Sequence, residues 1–182
     1  LIMAIVCTFS VNLDVVIPVF SRDILHKGPR EYSLLLSSMG VGSFIGALFM
    51  AGRSKKGLRK IILFIDAFMV SIAQMIASTS SHLIPSLLLV ASIGFFNLTF
   101  LNMGNSTMQL NSNDEYRGRV MSVYTIIVSG TTPVGNLYVG TVMEHLGAEM
   151  GFFMSGIAIF ILSAILLAAR RKLIKESRQA SV

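Results

Sequence analysis

The stretch GFFMSGIAIFILSAILLAARRK, residues 151–172, decides the fold. Between Phe152 and Ala169 only Ser155, Gly156 and Ser163 interrupt the apolar run, which then meets Arg170, Arg171 and Lys172. A run of that length closed by a basic cluster is a helix that crosses lipid, because a hydrocarbon core of about 30 Å takes about 20 apolar residues. Five further runs of this kind precede it. They place spans at 1–20, 32–52, 61–78, 83–108, 120–142 and 151–169, followed by a basic tail over 170–182. The expected architecture is an all-α membrane protein: one six-transmembrane-helix bundle over residues 1–182, with no loop long enough for a soluble domain.

Composition and charge agree. The chain is 53% hydrophobic and 13% charged, against roughly 25% charge in soluble domains, so in water it would expose too much apolar surface. Twelve of the fifteen Lys and Arg fall in alternate turns or the tail: Arg53 to Lys60, Arg117 and Arg119, and Arg170 to Arg178. The other turns hold only Arg22, Lys27 and Arg30. By the positive-inside rule the rich turns face the cytoplasm, which predicts a multi-pass protein of the plasma membrane with both termini cytoplasmic. The net charge of +6 is then a topology signal and a contact with anionic lipid. Nucleic acid is not an expected partner, since basic and stacking aromatic residues are not interleaved. The single cysteine, Cys7, lies inside span one and reads as a packing residue. Leu1 begins directly in an apolar helix, without an initiator Met or basic flank, so the chain reads as cut from a longer polypeptide.

Function must come from the polar residues inside the spans. Spans three and six are nearly bare and are expected to face lipid; spans one, four and five carry the polar groups. On span five, Ser122, Thr125, Ser129, Thr132 and Asn136 share one helical stripe, with Gly130 and Pro133 predicting a bend. On span four, Thr99, Asn102, Asn105, Ser106 and Gln109 share another. Such stripes either line a wet cavity or hydrogen-bond between helices. Span one holds Asn12, Asp14 and, four residues on, Pro18, which removes the usual donor from the Asp14 carbonyl. Asp14 is the only carboxylate near the middle of a span; an acid there is a candidate for proton exchange or substrate recognition, or else pairs with an Asn or Ser of another helix. Asp66 lies within reach of the basic loop that follows span two, and an ion pair is expected. Ser38, Gly42 and Gly46 form a small-residue stripe for close helix packing. His26, His82 and His145 fall in separate loops. With no nucleophile–base pair, HExxH or nucleotide loop, neither an enzyme, a cofactor nor a metal is expected.

Several motifs carry a resemblance. NSTMQL (105–110) followed by DEYRGRVMS (114–122) resembles the junction of the fourth and fifth helices in the C-terminal half of major facilitator superfamily exporters. The pattern is most similar to the bacterial branch with the enterobactin and macrolide exporters. IPVF (17–20), DIL (23–25), YSLL (32–35), GVGSFIG (40–46) and TPVG (132–135) also fit. The loop GRSKKGLRK (52–60) is similar to the superfamily's cytoplasmic loop motif but lacks the usual acid before its basic residues. The resemblance implies a rocking transporter of two six-helix halves, of which this chain is the second. It implies efflux of a small amphipathic molecule, drug-like or siderophore-like, by proton antiport across the inner membrane. Spans one, two, four and five would face the cavity, and three and six would lie outside. The expected cavity residues are Asp14, Asn12, Asn102, Thr125, Ser129, Thr132 and Asn136. A charge network of Arg53, Lys56, Arg59, Asp114, Glu115, Arg117 and Arg119 would brace the cytoplasmic gate. The rival reading is a non-transporting membrane scaffold or truncated gene product.

Overall fold

The computed structural model describes residues 1–25, 28–53 and 61–179, without the side chains of residues 53, 171 and 173–179. Seven helices account for almost all of the described residues: α1 (Ile2–Ser10), α2 (Leu13–Asp23), α3 (Pro29–Arg53), α4 (Ile61–Ser78), α5 (Leu83–Leu110), α6 (Arg117–Leu146) and α7 (Ala148–Gln179). The fold is a membrane helical bundle, as expected. Four of the helices are each long and apolar enough to cross a bilayer, and α1 with α2 makes a fifth such stretch, Ile2–Asp23. The sixth expected span lies within α6, whose 30 residues reach about 45 Å at 1.5 Å per residue. Its hydroxyl and amide groups dilute its apolarity below that of the other five.

Two boundaries differ instructively from expectation. Span one is not one helix over 1–20; it breaks at Val11–Asn12 and runs on to Asp23. The last span does not end at Ala169, because α7 continues into the basic tail as far as Gln179. The His26 and Lys27 turn and the basic loop from Ser54 to Lys60, with Lys56 and Arg59, lie outside the described residues.

Helix packing follows the small residues. The helix pair α3–α5 is in close contact: a Cβ on Gly42 would run into the Ala91 carbonyl, and one on Gly46 would sit 2.9 Å from the Phe95 carbonyl oxygen. Gly94 on α5 meets the Met39 carbonyl in return, and the Ser43 hydroxyl donates to the Gly94 carbonyl at 3.3 Å. Where lipid is as apolar as leucine, such close backbone approach supplies the van der Waals contact that holds helices together.

Spans three and six are less bare than expected, although each keeps an exposed apolar face, Ile61, Ile65, Met69, Ile72 and Ile76 on α4 and Phe160, Ile161 and Ile165 on α7. α4 is the most buried of the five apolar spans, with 56% of its apolar window inside the bundle against 17% for α3. It packs between α5 and α7, and buries Asp66, Ser71, Gln74 and Ser78. α7 buries Ser155 and Ser163. The same small-residue rule applies at this seam, where Gly156 faces the Ser71 carbonyl and Met75.

The apolar core forms two clusters. One gathers Leu13, Ile17, Phe20, Leu35, Ile93, Val139 and Phe152, with Phe20 edge-on to Phe152 at 5.2 Å. The other gathers Val6, Cys7, Met50, Val70, Phe100 and Ile159. On every spanning segment a polar residue falls between the two. Ser10 and Asn12 separate Cys7 from Leu13; Ser43 separates Leu35 from Met50; Ser71 follows Val70; Asn97 separates Ile93 from Phe100; Ser155 separates Phe152 from Ile159. On α6, Asn136 lies between Val139 and Val128. The break in α1–α2 therefore sits where one apolar cluster gives way to the other along the chain.

Gly42→Val should force α3 from α5. A strained, overpacked contact costs about 1–3 kcal/mol or more, so the variant should melt several degrees lower in a membrane-extract thermal shift. Gly40→Val, whose Cβ meets nothing within 4 Å, should melt close to the parent.

Candidate functional site

The site begins with a competition for backbone carbonyls. In a continuous helix the Thr8 carbonyl would accept from the Asn12 N–H, and the Ser10 carbonyl from the Asp14 N–H. Here the Asn12 side-chain amide takes the Thr8 carbonyl. The Asn97 amide of α5 donates to the Ser10 carbonyl at 3.2 Å, while the Ser10 hydroxyl donates to the Asn97 side-chain oxygen at 2.6 Å. Asn12 leaves helical geometry, with φ −84° and ψ 25°, and its own carbonyl accepts from the Val15 and Val16 N–H groups to start α2. Pro18, which denies a donor to the Asp14 carbonyl, lies inside α2. The break is made upstream of it, at Val11–Asn12, by amide side chains that replace backbone donors.

Gly135 of α6 seals the other side. A Cβ there would collide with the Thr8 carbonyl and the Asn12 amide, so only glycine lets α6 close over the exposed backbone. Asn12 is buried, at 3% exposure, against α6 rather than in an open cavity.

On the α3 and α5 side the break opens into a pocket of about 210 Å³. Its polar wall is Asp14, Ser43 and Asn97; its apolar wall includes Val11, Met39, Leu98 and Leu101. Asp14 is solvent-exposed on the first turn of α2, where the positive end of the helix dipole favours a carboxylate. One acid, an amide and a hydroxyl among aliphatic side chains can hold the polar end of an amphipathic molecule.

The other sequence-derived candidates are placed differently. Asn102 is half-buried, one turn on from Leu98. Thr125 and Ser122 line a separate shallow groove with Gly118, Met121 and Ile126. Their hydroxyls return to their own helix, Ser122 to the Gly118 carbonyl at 3.0 Å and Thr125 to the Met121 carbonyl at 3.1 Å. Thr132 does the same to Val128 at 3.0 Å. Ser129 is exposed, and Thr132 and Asn136 are half-buried. The α6 stripe and the Asp14 pocket are thus two surfaces, not one. At the end of the bundle where α6 starts, Arg117 pairs with Asp114 at 2.6 Å, the Arg119 guanidinium lies 5.7 Å from the Tyr116 ring centre, and Glu115 is exposed. The side chains of Arg53, Lys56 and Arg59 are outside the described residues. Nearby, Gln109 donates to Asn105, and the Tyr124 hydroxyl ties α6 to the Leu101 carbonyl of α5 at 3.2 Å. Sequence reasoning missed Asn97 and Ser43; the signal was an amide and a hydroxyl at the height of Ser10 on neighbouring spans.

A helix broken within the span, with polar side chains at the break, is a feature of membrane carriers. The family model for transmembrane secretion effectors matches residues 2–182. The chain belongs to this family of the major facilitator superfamily. It is also similar to the multidrug efflux pump Tap of Mycolicibacterium fortuitum, 24% identical over 152 residues, which cover 84% of this chain and 37% of that protein. The chain therefore spans about a third of the length of that relative. No solved structure matches it. Family membership and its apolar helices make this chain a multi-pass membrane protein of a transporter family, not of an enzyme family.

Gly135→Ala should drive α6 off the break. It should lower the melting temperature by several degrees, consistent with an overpacking cost of about 1–3 kcal/mol. Gly140→Ala, with nothing within 4 Å of its Cβ, should leave it unchanged or slightly raised.

Proposed function

We propose that the chain forms one six-helix half of a secondary exporter that moves small amphipathic molecules out of the cytoplasm in exchange for protons. The observation that carries this reading is the Asp14 carboxylate, held at a helix break within the span and opening into a pocket walled by Ser43, Asn97 and aliphatic side chains. A second six-helix half supplies the opposite wall, and rocking of the two halves exposes the pocket to either side. The match to about a third of a full efflux pump supports a partner half of this kind.

In this scheme Asp14 is the coupling or charge-recognition residue, since a carboxylate inside a span marks an ion or substrate path by default. Ser129, Thr125, Thr132, Asn136 and Asn102 line the wet path between the halves, and Asn12 acts through the break. The basic turns face the cytoplasm together with both termini. There Arg117, Arg119, Asp114 and Glu115, with Arg53, Lys56 and Arg59 of the basic loop, brace the closed gate. Drug-like cargo is favoured over a siderophore by the efflux pump among its relatives.

Asp14→Asn in the intact transporter tests the coupling. Efflux of a fluorescent amphipathic dye from cells should fall at least about tenfold, equivalent to roughly 1.4 kcal/mol, and should lose its dependence on external pH. Undiminished, pH-dependent efflux by a variant that reaches the membrane at parental level would remove Asp14 from the coupling step.

A further inference from the structure

We propose that Asn97 of α5 is the positioning residue of the Asp14 pocket: it holds the α1–α2 break open and so aims the Asp14 carboxylate. The role assigned to Asp14 rests on the functional reading above; the placement of Asp14 by Asn97 does not.

The Ser10 carbonyl is the natural partner of the Asp14 backbone N–H, four residues on. Asn97 occupies that carbonyl with its side-chain N–H and at the same time accepts the Ser10 hydroxyl. Both polar groups of one side chain are thus spent on the residue that would otherwise bond Asp14 back into α1. The contact joins positions 87 apart in sequence, so α5 rather than local propensity sets it. In lipid an unpaired carbonyl costs several kcal/mol, and that demand works in either direction. With Asn97 present it is met from α5, and α2 starts afresh at Leu13. Without Asn97 it is met by recapturing the Asp14 N–H, which extends α1 and rotates the first turn of α2. The Asn12 bond to Thr8 remains in both cases, but it lies on the α6 side and does not compete for Asp14. Because Asn97 also lines the pocket beside Asp14 and Ser43, the device that fixes the acid is part of the wall the acid faces.

The test is the reactivity of position 14 in the intact transporter. In a Cys7→Ser background, Asp14→Cys should react readily with N-ethylmaleimide. Adding Asn97→Leu, which keeps bulk and removes both polar groups, should slow that labelling at least about tenfold. Asn97→Asp, nearly the same shape but with an acceptor facing the Ser10 carbonyl, should slow it as well, and serves if the leucine variant does not reach the membrane. Labelling of Thr125→Cys, exposed on α6 away from the break, should be unaffected, whereas general unfolding would change both. Labelling at position 14 within twofold of the parent in both Asn97 variants overturns the proposal, as does parallel change at position 125. If Asp14→Asn retains pH-dependent efflux, the coupling role of Asp14 fails while this labelling result still decides the role of Asn97.

Discussion

One constraint shapes the break on which the site depends: a backbone carbonyl at membrane depth is costly without a donor. A helix satisfies it by repetition, and most of the chain does so. At Thr8 and Ser10 the repetition stops, and two asparagines take over. Asn12 serves Thr8 from within the same segment and Asn97 serves Ser10 from α5. The break is therefore a site at which backbone bonding has been handed to side chains. Side chains can be arranged, competed with and moved in ways that a helical ladder cannot. Gly135 completes the arrangement by admitting the α6 backbone where any larger residue would collide.

Polar residues interrupt the apolar core on the other spans too. Along the chain Ser10, Asn12, Ser43, Ser71, Asn97, Asn136 and Ser155 each fall between residues of the two apolar clusters. Burying such groups in hydrocarbon is unfavourable unless they are paired, and of these Asn12, Asn136 and Ser155 each keep a buried oxygen with no hydrogen-bond partner. The two clusters give the halves of the bundle their own packing. The break brings irregular backbone, the acid and the pocket together. α4 belongs to this arrangement: it packs between α5 and α7 and brings Ser71 and Gln74 into the interior.

Much of this was legible in the sequence because lipid sets lengths. Runs of about 20 apolar residues separated by charged turns leave little choice but a bundle, and the small-residue stripe Ser38, Gly42, Gly46 announced the α3–α5 contact. Asp14 was singled out because it is the one acid near mid-span. What could not be read was anything that depends on which helix faces which. Pro18 is accommodated inside α2, and nothing in the sequence tells Asn12, where the helix breaks, from an ordinary cap. Asn97 gains its meaning only when α5 lies beside Ser10. The bare look of span three misled for the same reason, because Asp66, Ser71, Gln74 and Ser78 sit on a side that only the positions of α5 and α7 turn into an interior. The stripe on α6 was correctly a stripe, yet periodicity says which residues share a face and not what lies opposite it.

The Asp14 pocket and the α6 stripe can be related by size. At about 210 Å³ the pocket is smaller than the roughly 300–1,000 Å³ that drug-sized ligands occupy, so it fits the polar end of such a molecule and not its whole body. The α6 groove, with Ser122, Thr125, Met121 and Ile126, is wider and shallower. Its hydroxyls already return to their own helix, so it tolerates lipid, water or a greasy ligand with little change in energy. The proposed division of labour follows from that contrast. In the proposed exporter the break provides one charged contact, Asp14, and α6 an indifferent surface along which molecules of varied shape can lie. Selectivity for charge and tolerance for shape then belong to different helices, joined at Gly135, the point where α6 rests on the broken backbone.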